Sequence, residues 1–220
     1  MLNSLSQWLK TLPGIRGFLR ARSIDRLTKL GVGLARDGYG VTGISFVSYA
    51  PSIVQESIHC VRSIDYLDYL GFYKMEVFID DLEPLAGGAR LKSVTINDCR
   101  IMDVEHLKPW LASFPSLIHL QLERSNVTDE MVAQLSSFEY VRELSLVGNP
   151  ITDAATASLV NMKRLVKLNL AETPISDEAL LKLASLPLEH IRLGRTAVTA
   201  EGVARFQASL PECKVVWPYL

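Results

Sequence analysis

Residues 165–186 read LVKLNLAETPISDEALLKLASL, and the order of apolar and polar side chains in them decides the fold. Leu168 and Leu170 alternate with Lys167, Asn169 and Ala171, the period of two that marks a short strand with one buried face. Thr173 and Ile175 follow, then Ser176-Asp177, whose side-chain oxygens suit the start of a helix. Leu180, Leu183 and Leu186 recur at helical spacing. The same order is written from four other anchors, Leu91, Leu117, Val141 and Leu188, so that consecutive anchors stand 26, 24, 24 and 23 residues apart. In all five units apolar residues follow the anchor at +3 and +5, Ile or Val stands at +10, and the +8 column reads Cys99, Ser125, Asn149, Thr173, Thr196.

A strand and a helix repeated at this period are leucine-rich repeats. No single unit carries enough apolar surface to fold alone, so each must be covered by the next. Stacked strands form a parallel sheet at about 4.8 Å spacing, and the wider helices on the other side bend the stack. The expected fold is therefore α/β: a horseshoe solenoid with a parallel β-sheet on its concave face, helices on its convex face and an irregular N-terminal cap. Small hydrogen-bonding groups at +8 are expected to satisfy buried loop backbone. Asp103, Asp129, Asp153 and Asp177 form a column expected to cap the helices that follow.

Four segments result. Residues 1–22 are a basic amphipathic segment, 23–90 an N-terminal cap with divergent repeats, 91–212 the five repeats, and 213–220 a C-terminal partial repeat or cap. Within 47–90, Ser52 and Gln55 ahead of an apolar stripe of Val54, Ile58 and Val61 predict a capped helix, and Val77 with Ile79 an irregular strand.

With those residues in view, the chain resembles the bacterial leucine-rich-repeat proteins of ribonuclease-inhibitor-like type that abound in planctomycetes. The phrases LVKLNLAETPISDEALLKLASL (165–186) and LEHIRLGRTAVTAEGVARF (188–206) carry the likeness. LPECKVVW (210–217) is similar to the way such proteins close, and SIDRLTKLGVGLARDGYGVTGISF (23–46) to the helix, Leu-Gly and hairpin that precede a first repeat. The resemblance implies a binding scaffold.

Net charge is −1 with a pI near 6.4, which gives the whole molecule no electrostatic case for nucleic acid. Charge is uneven, since residues 1–40 hold seven Lys/Arg against Asp25 and Asp37. Cys60, Cys99 and Cys213 are odd in number and not at metal-ligand spacing, which favours buried thiols in a reducing, cytoplasmic setting. The stretch MLNSLSQWLKTLPGIRGFLRARS (1–23) places Leu2, Leu5, Trp8, Leu9 and Leu12 at helical spacing among Lys10, Arg16, Arg20 and Arg22, with Pro13-Gly14 as a break. That composition fits three roles: a peripheral membrane contact, a targeting segment, or a cover over the open end of the solenoid.

No phosphate loop, dinucleotide fingerprint, nucleophile elbow or zinc motif occurs, and no cofactor or metal is expected. His119 and His190 share a column but stand three strand steps apart, about 14 Å, too far for one metal ion. The candidate site is the concave face: His119, Glu143, Lys167 and His190 in one outward column, then Gln121, Ser145, Asn169 and Arg192 in the next. Lys214 is expected to extend the second column beside Arg192, with Trp217 at the strand's end. Arg and Trp are enriched where interfaces concentrate their binding energy. The expected function is a non-enzymatic module binding another protein, one with an acidic surface. The alternative is a membrane-surface adaptor or assembly factor anchored by residues 1–22.

Overall fold

The structure, a computed structural model, describes residues 13–37, 40–61, 64, 67–86 and 90–218. Helix α1 (Pro13–Lys29) leads through Leu30-Gly31 into a hairpin of β1 (Gly33–Asp37) and β2 (Gly40–Val47), followed by α2 (Pro51–Val61). Next come β3 (Tyr69–Tyr73), β4 (Glu76–Phe78), a 3₁₀ helix over Asp80–Leu85, β5 (Ser93–Asn97), β6 (Arg100–Met102) and α3 (Val104–Ala112). The regular alternation then sets in: β7 (His119–Glu123), α4 (Asp129–Leu135) and β8 (Glu143–Ser145). A 3₁₀ turn at Asp153–Ala155 runs into α5 (Thr156–Leu159), then β9 (Lys167–Asn169) and α6 (Asp177–Leu183). The chain closes with β10 (His190–Arg192), α7 (Ala200–Ser209) and β11 (Lys214–Val216).

Among the described residues nine strands form the main sheet in the order β1-β2-β3-β5-β7-β8-β9-β10-β11. The β1–β2 hairpin is antiparallel and each later pair of neighbours in that order is parallel, as a solenoid with one strand per turn requires. The register places Ile44, Leu70, Val94, Leu120, Leu144, Leu168 and Ile191 in one inward row. Two further repeats therefore precede Leu91 in the same frame, Val41-x-x-Ile44-x-Phe46 and Leu67-x-x-Leu70-x-Phe72, the second anchored 24 residues upstream. In the +5 row Phe46 and Phe72 stack at 5.4 Å between ring centres, where the later repeats carry Ile or Leu.

The residue at +7 takes a left-handed backbone in all seven repeats: Ser48, Lys74, Asp98, Arg124, Gly148, Glu172 and Arg195. That conformation costs a non-glycine residue about 1 kcal/mol or more. It turns the chain out of the strand while its N–H still bonds the neighbouring repeat. The +7 amide donates to the +6 carbonyl of the next repeat from Ser48 to Tyr73 (2.8 Å), Asp98 to Glu123 (2.9 Å), Arg124 to Val147 (2.7 Å) and Glu172 to Gly194 (2.8 Å). Only one of the seven is glycine, and there the missing Cβ leaves room for Arg124, whose Cγ would lie 2.5 Å from it. Arg124 pairs with Asp98 at 2.6 Å and reaches toward Glu172 at 4.0 Å, and Arg195 pairs with Glu172 at 3.5 Å, so charges alternate along this rim.

The +8 column behaves as the sequence predicts. Asn149 is buried, accepts the Ser125 and Val127 amides at 3.0 and 3.1 Å, and donates to the Leu122 and Leu146 carbonyls at 2.6 and 2.9 Å. Ser125 donates to Ile96 at 2.8 Å, and Thr173 and Thr196 donate to the carbonyls of Leu170 and Leu193 at 2.6 and 2.8 Å. The aspartate column does something else. The Thr128, Thr152 and Thr199 hydroxyls accept the helix-start amides, while the carboxylates reach across to the next repeat. Asp129 takes the amide and hydroxyl of Thr152 at 2.7 and 2.6 Å, Asp177 those of Thr199 at 2.7 and 2.6 Å, and Asp153 the amide of Ser176 at 2.8 Å together with its hydroxyl. The residue before Asp129, Asp153 and Asp177 already holds the N-cap position, so these carboxylates are left to clamp one turn of the solenoid to the next, whereas Asp103 itself stands at the start of α3 and makes no side-chain capping bond.

The 47–90 stretch differs in detail from the expectation. α2 begins at Pro51, a residue suited to a first helical position, so Ser52 lies inside the helix and Gln55 bonds Asp81 at 2.7 Å instead of closing a cap. Val54, Ile58 and Val61 do form its buried face. β4 pairs with β6 as a second, two-stranded sheet, and Asn126 ends it by accepting the Ile101 amide at 2.8 Å. α1 runs unbroken from Pro13 through Ser23, so residues 13–22 belong to the helix that leads into the hairpin; residues 1–12 lie outside the described residues.

Leu146→Ala and Leu170→Ala, at inward positions of zero exposure, should each cost about 2–5 kcal/mol in denaturant titration, and Ser145→Ala about 1 kcal/mol or less. Equal losses would mean that the register is displaced by one residue. Hydrogen bonds from the Thr199 hydroxyl and amide hold the Asp177 carboxyl below its ordinary range. Its stabilisation is thus fully present above the unfolded value near about 4 and is lost as pH falls through the lower folded value. Asp177→Asn should lower the melting temperature at neutral pH and flatten its decline below about pH 4; an unchanged acid limb would refute the clamp.

Candidate binding surface

Outward side chains of the sheet line a shallow concavity of about 440 Å³. His119, Gln121, Glu143, Ser145, Lys167, Asn169, His190 and Arg192 all lie on its wall, as parallel register requires of residues in corresponding positions. Strands β7 to β10 thus gather eight of the nine residues singled out from sequence. Trp217 is apart: its indole N–H donates to the Val198 carbonyl at 3.2 Å and its ring packs against the core at the C-terminal end.

Charge within the concavity is partly spent. Glu143 sits between Lys167 at 2.7 Å and His119 at 3.0 Å, so each carboxylate oxygen has a partner. Burial raises its pKa, but hydrogen bonds with Lys167 and His119 outweigh this and leave the carboxyl below its ordinary range. Glu123 accepts the Ser145 hydroxyl at 2.6 Å. His190 and Arg192 are exposed and engage no side chain among the described residues.

Two corrections follow from the register. Lys214 pairs with His190 and Val216 with Arg192, so Lys214 extends the first column, Lys167 to His190 to Lys214. The partial repeat begins two residues later than its apolar residues suggest, because Cys213, buried, fills a place that Glu189 occupies in the preceding turn. The second correction is an omission. Tyr69 and Tyr73 stand in the outward columns of β3, with their hydroxyls in mutual contact over Gly71. Burial and the hydrogen bond with Tyr69 push the Tyr73 phenol well above its ordinary value. The frame anchored at Leu67, 24 residues before Leu91, is the signal that reveals them.

Among the described residues no cluster of His, Cys, Asp or Glu could hold a metal ion, and no helix is long and apolar enough to cross a membrane. The three cysteines are buried and, among the described residues, none is joined by a disulfide; burial pushes the Cys213 thiol up to about 11.

No protein-family model matches the chain, and no curated protein matches it. Among solved structures, an internalin (inlF) from Listeria monocytogenes superposes with a TM-score of 0.55 at 24% identity, over 73% of this chain and 44% of that one. Internalin C2 from the same organism gives a TM-score of 0.52 at 17% identity, over 88% of this chain and 80% of its own. This chain thus spans less than half the length of the first. At such identities the likeness is one of fold, and with the register and the repeated turn it establishes a leucine-rich-repeat solenoid.

Proposed function

We propose that the chain is a non-enzymatic protein-binding module of the cytoplasm that holds its partner against the concave sheet. The observation that carries this reading is the concavity itself, in which nine polar or charged side chains from four consecutive strands meet on one face. His190 and Arg192 have no partner there among the described residues, and an exposed guanidinium suits two-point hydrogen bonding to a carboxylate. The partner surface is therefore acidic. Glu143, with both oxygens engaged by Lys167 and His119, and His190, which engages no side chain among the described residues, offer no set of base, nucleophile and oxyanion donors. Buried thiols support the reducing compartment. Helices of seven to ten residues at α4, α6 and α7 support the ribonuclease-inhibitor-like type of repeat.

Capture from the source cell, compared between wild type and variants, tests this. Arg192→Ala should weaken a concave-face complex by about 1 kcal/mol or more, and Lys182→Ala, on the exposed convex side, should leave it unchanged. Hydrogen exchange of the complex should show protection at 165–170 and 188–193; protection confined to the helices would overturn the reading.

A further inference from the structure

The concave face is divided by chemistry into three zones, and the division follows chain order. Outward positions from Gly33 to Ala35 in β1 and along β2 and β3 from Gly43 are Gly33, Ala35, Gly43, Ser45, Val47, Tyr69, Gly71 and Tyr73, none of them charged. Glycine at 33, 43 and 71 is tied to this surface: a Cβ on Gly71 would meet the Tyr69 hydroxyl at 2.4 Å and Tyr73 Cε2 at 2.8 Å, so the rings lie down over backbone. Val47 is 51% exposed beside them. The middle strands, β5, β7 and β8, carry Ser93, Thr95, Gln121 and Ser145 with the two glutamates whose contacts are described above. Outward positions of β9 to β11 hold Lys167, His190, Arg192 and Lys214 with no acid among them. Glu143 takes up one charge, that of Lys167, and leaves His190, Arg192 and Lys214 unengaged among the described residues.

Resting on the concave-face reading, we infer that the partner element is an extended, single-stranded peptide segment lying across the strands, acidic at the end over β10 and β11 and apolar or aromatic at the end over β2 and β3. Charge complementarity fixes the first end, since basic groups on β10 and β11 with no acid at the outward positions of those strands favour carboxylates and disfavour cations. The uncharged tyrosine floor fixes the other, because amphipathic rings supply contact area at small entropy cost. Spacing fixes the length. β3 and β10 are five strand steps apart in the sheet, about 24 Å at ordinary sheet spacing, which an extended chain spans in about seven residues.

Panning a phage-displayed random dodecapeptide library against the full chain, then measuring selected synthetic peptides by fluorescence anisotropy, tests this. The expected selection carries two or more Asp or Glu near one end and Tyr, Phe, Leu or Pro about seven positions away. Arg192→Glu with Lys214→Glu, both exposed and free of core contacts, should weaken those peptides by about tenfold or more, and Val47→Asp by severalfold. Gln121→Trp, which fills the concavity between the zones, should abolish their binding. Peptides blocked by Gln121→Trp but lacking the acidic end would leave concave-face binding standing and overturn this inference alone. Peptides indifferent to all of these substitutions, or a library that yields none, would count against both.

Discussion

Stacked repeats bury the edges of their own backbone, and every buried amide or carbonyl left unpaired costs more than most side-chain contacts return. The arrangement of this molecule answers that constraint. Within the strands the parallel ladder pairs each repeat with the next. Where the strand ends, the left-handed residue at +7 carries one more hydrogen bond across before the chain turns away. Inside the turn, the +8 side chain takes the groups that no neighbouring backbone can reach, most completely at Asn149. On the convex side the Asp129, Asp153 and Asp177 carboxylates supply the remaining link. Apolar columns supply the driving force, but these bonds fix the register in which they stack.

The five regular repeats could be read because each inward column keeps one chemical type, aliphatic at +3 and +5 and a small hydrogen-bonding group at +8. The two earlier ones escaped because four substitutions coincide. Phe46 and Phe72 replace the aliphatic residue at +5, and Tyr49 and Met75 stand at +8, where no short polar group remains to mark the turn. The structure shows why these exchanges are tolerated. The phenylalanines adjoin one another and stack, and Tyr49 reaches the Gly31 carbonyl of the preceding cap. At Met75 the second sheet takes over the bonding, the Arg100 amide donating to the Met75 carbonyl at 3.0 Å. Each departure is compensated by a neighbour distant in sequence, which single-unit patterning does not carry.

Side-chain direction on the sheet was legible for the same reason, since alternation assigns inward and outward positions without knowledge of contacts. Eight of the nine residues singled out do line one concavity. What alternation does not carry is pairing among outward groups. Glu143 reads as a free acid in sequence, yet Lys167 and His119 come from the adjacent strands and occupy it. The Asp column misleads in the converse way: residues placed before helices look like caps, and only the neighbouring repeat reveals that Thr128, Thr152 and Thr199 cap while Asp129, Asp153 and Asp177 clamp.

The same geometry separates stability from recognition. Inward columns, the +7 rim and the Asp clamps bond along the solenoid axis, so their side chains are committed to neighbours above and below. Rim charges illustrate this: Asp98, Arg124, Glu172 and Arg195 alternate in sign and neutralise one another. Outward columns bond along the axis only where opposite or complementary groups fall on adjacent strands, as at His119, Glu143 and Lys167. Past Lys167 the column continues with His190 and Lys214, no carboxylate follows, and axial pairing stops. Lys167 and Lys214 lie two strand steps apart, about 10 Å, and Lys167 is already held by Glu143, so the outward groups beyond it are not committed to neighbours along the axis. Recognition is left to the positions where axial complementarity runs out.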